Sequence, residues 1–258
     1  MQFDCFTLSM NQGKFLKEAI DSILNQDADV KYTVYDAGST DGTRKFLENY
    51  RLDEFSKVEV DGDLGPADGL NYGIRNLSGD FFYYLNADDR LLPGVLNYVE
   101  LYFSNHPECD VLHGSINIID FSGKKIKVLP SMKFSLKGFA LGYSVVYQQA
   151  TFFRTRVFQN LMFNVNNRIS WDGELIVDLA SLGKVIHKTN KVLGEFRIYD
   201  KSISGSPGYK QLVRKEHARI ALKILGHELK PSQKLYGYCV RVLKAILRRI
   251  FPRISYIK

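Results

Sequence analysis

The first ninety residues alternate between short apolar runs and segments whose apolar positions recur at helical spacing. Residues 3–9 form a run suited to a buried strand. Beyond Asn11, Gln12 and Gly13 the chain places Phe15, Leu16, Ala19, Ile20, Ile23 and Leu24 on one helical face. The same alternation predicts strands at 32–35, 58–60 and 81–85, and helices at 40–50 and 67–77. Strands and helices in this order imply parallel pairing in a layered α/β sheet. Ligands of such sheets bind beyond the carboxyl ends of the strands, and the polar, glycine-bearing segments fall at those ends.

The pattern changes after Leu91. Leu92, Pro93 and Gly94 open a helix to about residue 103, and strands are predicted at 111–119 and 126–129 around a turn at 121–125. Residues 148–153 read as a strand, with Phe152 and Phe153 packing in the core. A helix over 170–182 and strands near 185 and 192–198 follow. From Tyr209 two helical segments are separated by Pro231, the second ending near Pro252. The turn-forming residues 205–208 (Gly-Ser-Pro-Gly) divide an α/β domain at 1–207 from a helical tail at 208–258.

Charge sharpens that division. The net charge is +7, yet from Tyr209 onward 13 Lys and Arg face only Glu216 and Glu228, a local +11 that leaves −4 on the other 208 residues. Val240, Leu243, Ile246, Leu247, Ile250 and Phe251 share a helical stripe beside Arg241, Lys244, Arg248 and Arg249. Such a helix suits an anionic bilayer interface; packing on the domain, or dimerisation, is the alternative. Nothing in the domain resembles a groove-reading module, so nucleic acid is not an expected partner. No run reaches the roughly 18 apolar residues of a membrane span. Three scattered cysteines without a CxxC pair and an N-terminal stretch without leader character predict a reducing, cytoplasmic setting. The five histidines show no ligand-like spacing and read as structural or surface residues.

Two clusters carry chemistry. In residues 34–43 (Val-Tyr-Asp-Ala-Gly-Ser-Thr-Asp-Gly-Thr), Asp36 ends a strand where it can accept hydrogen bonds from a base or ribose, while Thr40 and Asp41 suit helix capping. In residues 83–90 (Tyr-Tyr-Leu-Asn-Ala-Asp-Asp-Arg), two carboxylates follow an apolar strand. A hard cation such as Mg²⁺ or Mn²⁺ takes one or two carboxylates and fills its remaining positions with water and phosphate. A solvated acidic turn is the alternative reading of that pair.

Taken together, these clusters resemble the family 2 glycosyltransferases over residues 2–205. The resemblance adds residues 9–16 (Ser-Met-Asn-Gln-Gly-Lys-Phe-Leu), 65–73 (Gly-Pro-Ala-Asp-Gly-Leu-Asn-Tyr-Gly), 149–154 (Gln-Ala-Thr-Phe-Phe-Arg), 171–175 (Trp-Asp-Gly-Glu-Leu) and 197–204 (Arg-Ile-Tyr-Asp-Lys-Ser-Ile-Ser). It implies a GT-A fold, a mixed sheet flanked by helices, that binds a nucleotide-sugar donor with Mg²⁺ or Mn²⁺. By resemblance, Asp36 belongs to the nucleoside site, Ser9, Asn11, Asp68 and Asn71 to the donor site, and Asn86 to the metal motif whose ligand is Asp88. Asp172 is the implied general base of an inverting transfer to an acceptor hydroxyl; its alternative, shared with Glu174, is favourable placement at a helix N-terminus. Trp171 beside it suits contact with a sugar or lipid-linked acceptor, or burial as a helix anchor. Arg197 and Lys201 are expected to close over the diphosphate.

Three departures stand out: Ala37 where relatives often carry a second aspartate, Asn86 where many carry Asp, and Tyr199 where a His is frequent. They keep open a non-catalytic, sugar-nucleotide-binding partner subunit as the rival reading. A nucleotidyltransferase fits less well, because residues 9–14 poorly match a basic phosphate loop. Relatives that elongate lipid-linked glycans at the inner face of a bacterial membrane suggest the same setting here, in surface polysaccharide assembly.

Overall fold

The computed structural model describes residues 1–51, 54–200 and 207–250. Among them, nine strands make one mixed sheet in the order β3-β2-β1-β4-β8-β6-β9-β5, with β7 paired to β6. Its first half is the parallel unit read from the sequence. β1 (Phe3–Ser9), β2 (Val30–Asp36), β3 (Ser56–Glu59) and β4 (Phe81–Asn86) run parallel, linked by α1 (Gly13–Leu24), α2 (Thr43–Leu47) and α3 (Pro66–Arg75). β1 and β4 are buried nearly throughout, which explains why they read as continuous apolar runs.

Each face of the sheet has its own core. Leu16, Ala19, Ile20 and Ile23 of α1 pack on one face with α4 (Val95–Asn105). On the other face, Ala67, Leu70 and Ile74 of α3 meet Trp171, Leu175, Ile176 and Leu179 of α6 (Trp171–Ser181). Close approach of α3 depends on two glycines. A Cβ at Gly69 would lie 2.7 Å from the Leu8 side chain, and one at Gly73 3.0 Å from Phe6. The glycines in residues 65–73 therefore set the helix-to-sheet distance.

The second half is where the local reading and the structure diverge. β5 (Arg90–Leu91) is a two-residue strand that closes the far edge against β9 (Ile186–Arg197). The strands predicted near 185 and at 192–198 are this single β9, parallel to β6 (Val111–Ile119). Register shifts opposite His113–Ile116 absorb the polar residues 189–191, where Ser115 Oγ donates to the Asn190 carbonyl. β7 (Lys125–Leu129) forms the expected hairpin with β6. Residues 148–150 are a 3₁₀ turn rather than strand, and β8 (Thr151–Arg154) begins only after it, antiparallel to β4 and β6. The helix expected at 40–50 narrows to α2, because Asp41 ties down its start and Gly42, at φ 93°, occupies the cap position.

The tail is helical and docked. α7 (Lys210–Leu225) lays Ile220 against Phe139 of α5 (Leu136–Ala140) and Val177 of α6. Arg219 pairs with the buried Glu174 at 2.5 Å and Lys223 with Asp178 at 2.5 Å. α8 (Pro231–Ile250) touches the domain through Gly237 against the Leu141 carbonyl, Arg241 to Gly142 O (3.2 Å) and Lys244 to Tyr143 O (3.1 Å). No described helix is long and apolar enough to cross a membrane.

Candidate functional site

The carboxyl ends of β1, β2 and β4 lie level, with Ser9 opposite Asp36 and Leu8 opposite Asn86. Loops from these ends, together with the start of α6, enclose a cleft of about 540 Å³. Of the residues expected from the sequence, Ser9, Asn86, Asp88, Trp171 and Asp172 line it. Ser9 Oγ is buried in the wall and has no hydrogen-bond partner among the described residues. A buried hydroxyl left without a partner is rare in a folded chain and marks this stretch of the wall as a place where a ligand could supply one.

Other expected residues are not among those lining the cleft. Asp36 is fully buried; it accepts from Ser39 N (2.9 Å) and Ser39 Oγ (2.5 Å) and pairs with Arg44 Nε at 3.1 Å. It therefore holds the turn from below, while Ala37, at the position where relatives often carry a second aspartate, faces the cleft. Asn11 adopts a left-handed conformation (φ 55°) and accepts from Thr40 N at 2.8 Å, locking the β1 loop to the β2 loop. Asp41 accepts from Gly13 N (3.2 Å) and Thr43 N (3.1 Å), so it caps α1 and α2 together. Asp68 accepts from Leu64 N at 3.3 Å, and the buried Asn71 exchanges both amide hydrogen bonds with the Phe163 backbone (2.8 and 2.9 Å). Lys201 lies outside the described residues.

Arg197 is the largest relocation. The expectation placed it over phosphate; the structure buries it completely, outside the cleft lining. Its guanidinium donates to the carbonyls of Asp88 (2.9 Å), Asp120 (3.3 Å) and Phe121 (3.0 Å), reaches Glu18 at 2.7 Å and lies 4.5 Å from the Phe15 ring centroid. Its backbone N–H donates to Asp89 Oδ1 at 2.9 Å. This makes Arg197 the post behind the acidic pair.

The pair itself divides into two roles. Asp89 is buried and accepts from Arg197 N, from Gln149 Nε2 (2.9 Å) and from Asn86 Nδ2 (3.5 Å); burial, with Asp88 beside it, pushes its carboxyl well above the usual range. Asp88 turns its carboxylate to the cleft. Tyr199 Oη donates to its Oδ2 at 3.3 Å, and Tyr199 also bonds Gln12 at 3.2 Å. Burial raises the Asp88 carboxyl too, opposed by hydrogen bonding from Tyr199 and the charge of Arg197. A desolvated carboxylate at a cleft wall, with buried partners on one side, fits a hard cation approaching from the other. The residues present therefore suit a divalent metal, with Asp88 as its protein ligand.

Asp172 stands in the first turn of α6, half-buried at the cleft. Burial raises its carboxyl above the usual value, partly offset by the Gly173 backbone N–H. Glu174 faces the opposite way. Its burial favours the neutral form, but Arg219, Asn167 and Asn164 prevail and bring it to about 2. Trp171 combines both readings, since it is 8% exposed within the core and also lines the cleft.

In the sequence, Gln12 and Asp63 carry no assigned role, and Gln148 and Gln149 read as the start of a strand lining the acceptor side. The 3₁₀ turn at 148–150 aims Gln148 at the Tyr84 carbonyl (2.5 Å) and Gln149 at Asp89. Asp63, also on the cleft, is raised by burial. The adjacent Gly62 and Gly65, at φ 113°, were the available signal that its loop is tightly shaped.

A family model for glycosyl transferase family 2 matches residues 5–165. An uncharacterized glycosyltransferase of Haemophilus influenzae is 23% identical over 268 residues, covering 93% of this chain and 83% of that protein. The GalNAc(5)-diNAcBac-PP-undecaprenol beta-1,3-glucosyltransferase of Campylobacter jejuni is 33% identical over 94 residues, covering 34% of this chain and 30% of that enzyme. The matched region spans only 29% of an uncharacterized glycosyltransferase of Rickettsia felis, 26% identical over 179 residues and 62% of this chain. Among solved structures, Staphylococcus aureus TarS 1-349 in complex with UDP-GlcNAc superposes with a TM-score of 0.65 at 18% identity, covering 98% of this chain and 73% of that one. The mannosyltransferase PcManGT of Pyrobaculum calidifontis in complex with GDP-Man and Mn²⁺ gives 0.64 at 15%, covering 97% and 74%. The mixed, helix-flanked sheet is thus the GT-A fold that the motifs implied, and the chain belongs to glycosyl transferase family 2.

Proposed function

We propose that this chain transfers a sugar, with inversion, from a nucleotide-sugar to an acceptor hydroxyl on a lipid-linked glycan, in the assembly of a bacterial surface polysaccharide. The observation that carries the proposal is the pairing of Asp88 and Asp172 in one cleft: one carboxylate suited to a cation, the other to a proton. Asp172 takes the acceptor proton as that oxygen attacks the anomeric carbon and the bond to the diphosphate breaks. A carboxylate whose proton affinity is raised by burial is a better base than a solvated one. Mg²⁺ or Mn²⁺ at Asp88 would offset charge on the departing diphosphate. Ser9 and Asn86 contact the donor directly; Asn11, Asp36, Asp68 and Asn71 hold the loops that shape its site. Lys201 remains a proposed diphosphate contact. The undecaprenol-linked substrate named for the C. jejuni relative and the exposed basic α8 support work at the inner face of a membrane.

The test is product release and thermal stabilisation with UDP-, GDP-, dTDP- and CMP-sugars, each with and without Mn²⁺. One nucleotide class should stabilise the protein in a metal-dependent way, and Asp88→Ala should abolish that response. Asp172→Asn should keep the stabilisation and lose on the order of 10²–10⁴ in kcat. Stabilisation without turnover in the wild type across broad acceptor panels would instead indicate a binding partner subunit.

A further inference from the structure

At the opposite end of β9 from the cleft, two histidines and a glutamate that are distant in sequence come together. His106 is the residue that closes α4, Glu108 sits two positions on in the turn, and His187 is the second residue of β9. One ligating atom from each lies within 4.8 Å of the other two, the only such group of His, Cys, Asp or Glu among the described residues. Nothing in the spacing of the histidines along the chain signals this. It arises because β9 pairs with β6 beside the turn that follows α4.

Its geometry has the dimensions of a metal site. Glu108 Oε1 is 3.4 Å from His106 Nδ1 and 3.7 Å from His187 Nε2. A tetrahedral ion with arms of about 2.0–2.2 Å needs ligand separations of roughly 3.3–3.6 Å, so both measured edges fit with little movement. The His187 pair, at 3.7 Å, is too long for a direct hydrogen bond. The supporting contacts also match. Tyr102 Oη lies 3.2 Å from His187 Nδ1, engaging the nitrogen that is not needed and leaving Nε2 for an ion. The Tyr102 ring lies against the His106 ring, centroids 4.4 Å apart, and fixes its plane. The carbonyl end of α4 adds negative partial charge beside the cluster.

We infer that His106, Glu108 and His187 form a second metal site, selective for a late first-row divalent ion of the Zn²⁺ type, with water in the fourth position. Two imidazoles and one carboxylate favour such an ion over the Mg²⁺ or Mn²⁺ that a lone carboxylate and phosphates take in the cleft. Bound there, the ion clamps the end of α4 to the start of β9, and its role is structural.

The test is isothermal titration of tag-free, chelator-treated, full-length protein with ZnCl₂, with MnCl₂ and MgCl₂ in parallel. One equivalent of Zn²⁺ should bind, unaffected by Asp88→Ala, and Co²⁺ should give the visible absorption of a tetrahedral site. Glu108→Gln, at an exposed position, and His106→Ala, at a half-exposed one, should each weaken Zn²⁺ at least tenfold with an unchanged circular-dichroism spectrum. His187→Ala should do the same. Absence of Zn²⁺ uptake would overturn the site. So would uptake that survives Glu108→Gln and His106→Ala, or that disappears with Asp88→Ala.

Discussion

Arg197 shows what a residue type conveys and what only its surroundings can. An arginine after a strand, in a polar loop, reads locally as a solvent-facing phosphate ligand. Its actual acceptors come from Asp88, Asp120, Phe121 and Glu18, with Phe15 against it, and these arrive from three distant segments. No local pattern reveals that convergence. Lysine cannot reproduce the fork, so Arg197→Lys leaves buried carbonyls unpaired. The expected loss is about 2–3 kcal/mol, discounted for the partial exposure of Glu18, together with weaker metal-dependent donor binding. Urea unfolding checks the first and donor titration with Mn²⁺ the second. If Arg197→Lys unfolds like the wild type and only donor affinity suffers, the phosphate role was the correct one. The placement of Asp88 and Asp172 at the cleft, by contrast, was legible, because a carboxylate at a strand end or helix start faces the loops whatever packs behind it.

At the scale of elements, legibility followed burial. β1 and β6, buried on both faces, match the predicted 3–9 and 111–119 in full. α5 was missed because five residues carry too little periodicity. Residues 148–150 were misread because two glutamines bonded to Tyr84 and Asp89 override the strand tendency of the run they begin. The tail resolves into two unlike helices. α7 is held by Glu174–Arg219 and by Ile220, whereas α8 leaves Leu235, Tyr236, Tyr238, Leu243 and Ile246 exposed beside its basic residues. An exposed apolar stripe flanked by lysine and arginine is suited to an anionic bilayer interface. Co-sedimentation should therefore show binding to phosphatidylglycerol vesicles but not to phosphatidylcholine alone, weakening as salt rises. Leu243→Glu with Ile246→Glu should cut binding at least tenfold without shifting the melting temperature of the domain. Unchanged sedimentation of that double variant would reject α8 as the contact.

For the molecule as a whole, stability against pH sums groups of opposite sign, and His113 supplies a separable part. It sits in β6 with 0% exposure, and neither ring nitrogen has a partner among the described residues. Burial, and secondarily the charge of Lys188, depresses its pKa from 6.5 to about 4. Between those values the unfolded chain binds a proton that the fold refuses. The contribution is therefore complete above pH 6.5 and is lost as pH falls toward 4, up to about 3 kcal/mol at 1.36 kcal/mol per unit. Asp88, Asp89 and Asp172 act the other way, because burial raises them, so the fold takes up protons more readily than the unfolded chain as pH falls. Glu174, held down to about 2, adds to the loss at the acid end, so the wild-type profile is a sum in which His113 is not directly visible. Subtracting the profile of His113→Leu removes the carboxylate contributions common to both proteins. The leucine variant should be at least as stable at pH 7.5, since it replaces an unpartnered polar ring with an apolar side chain of similar size. It should then gain on the wild type by up to about 3 kcal/mol as pH falls to 4.5, measured by urea unfolding at each pH. Parallel profiles would mean that His113 titrates alike in the folded and unfolded chains, and that its burial carries no cost in proton affinity.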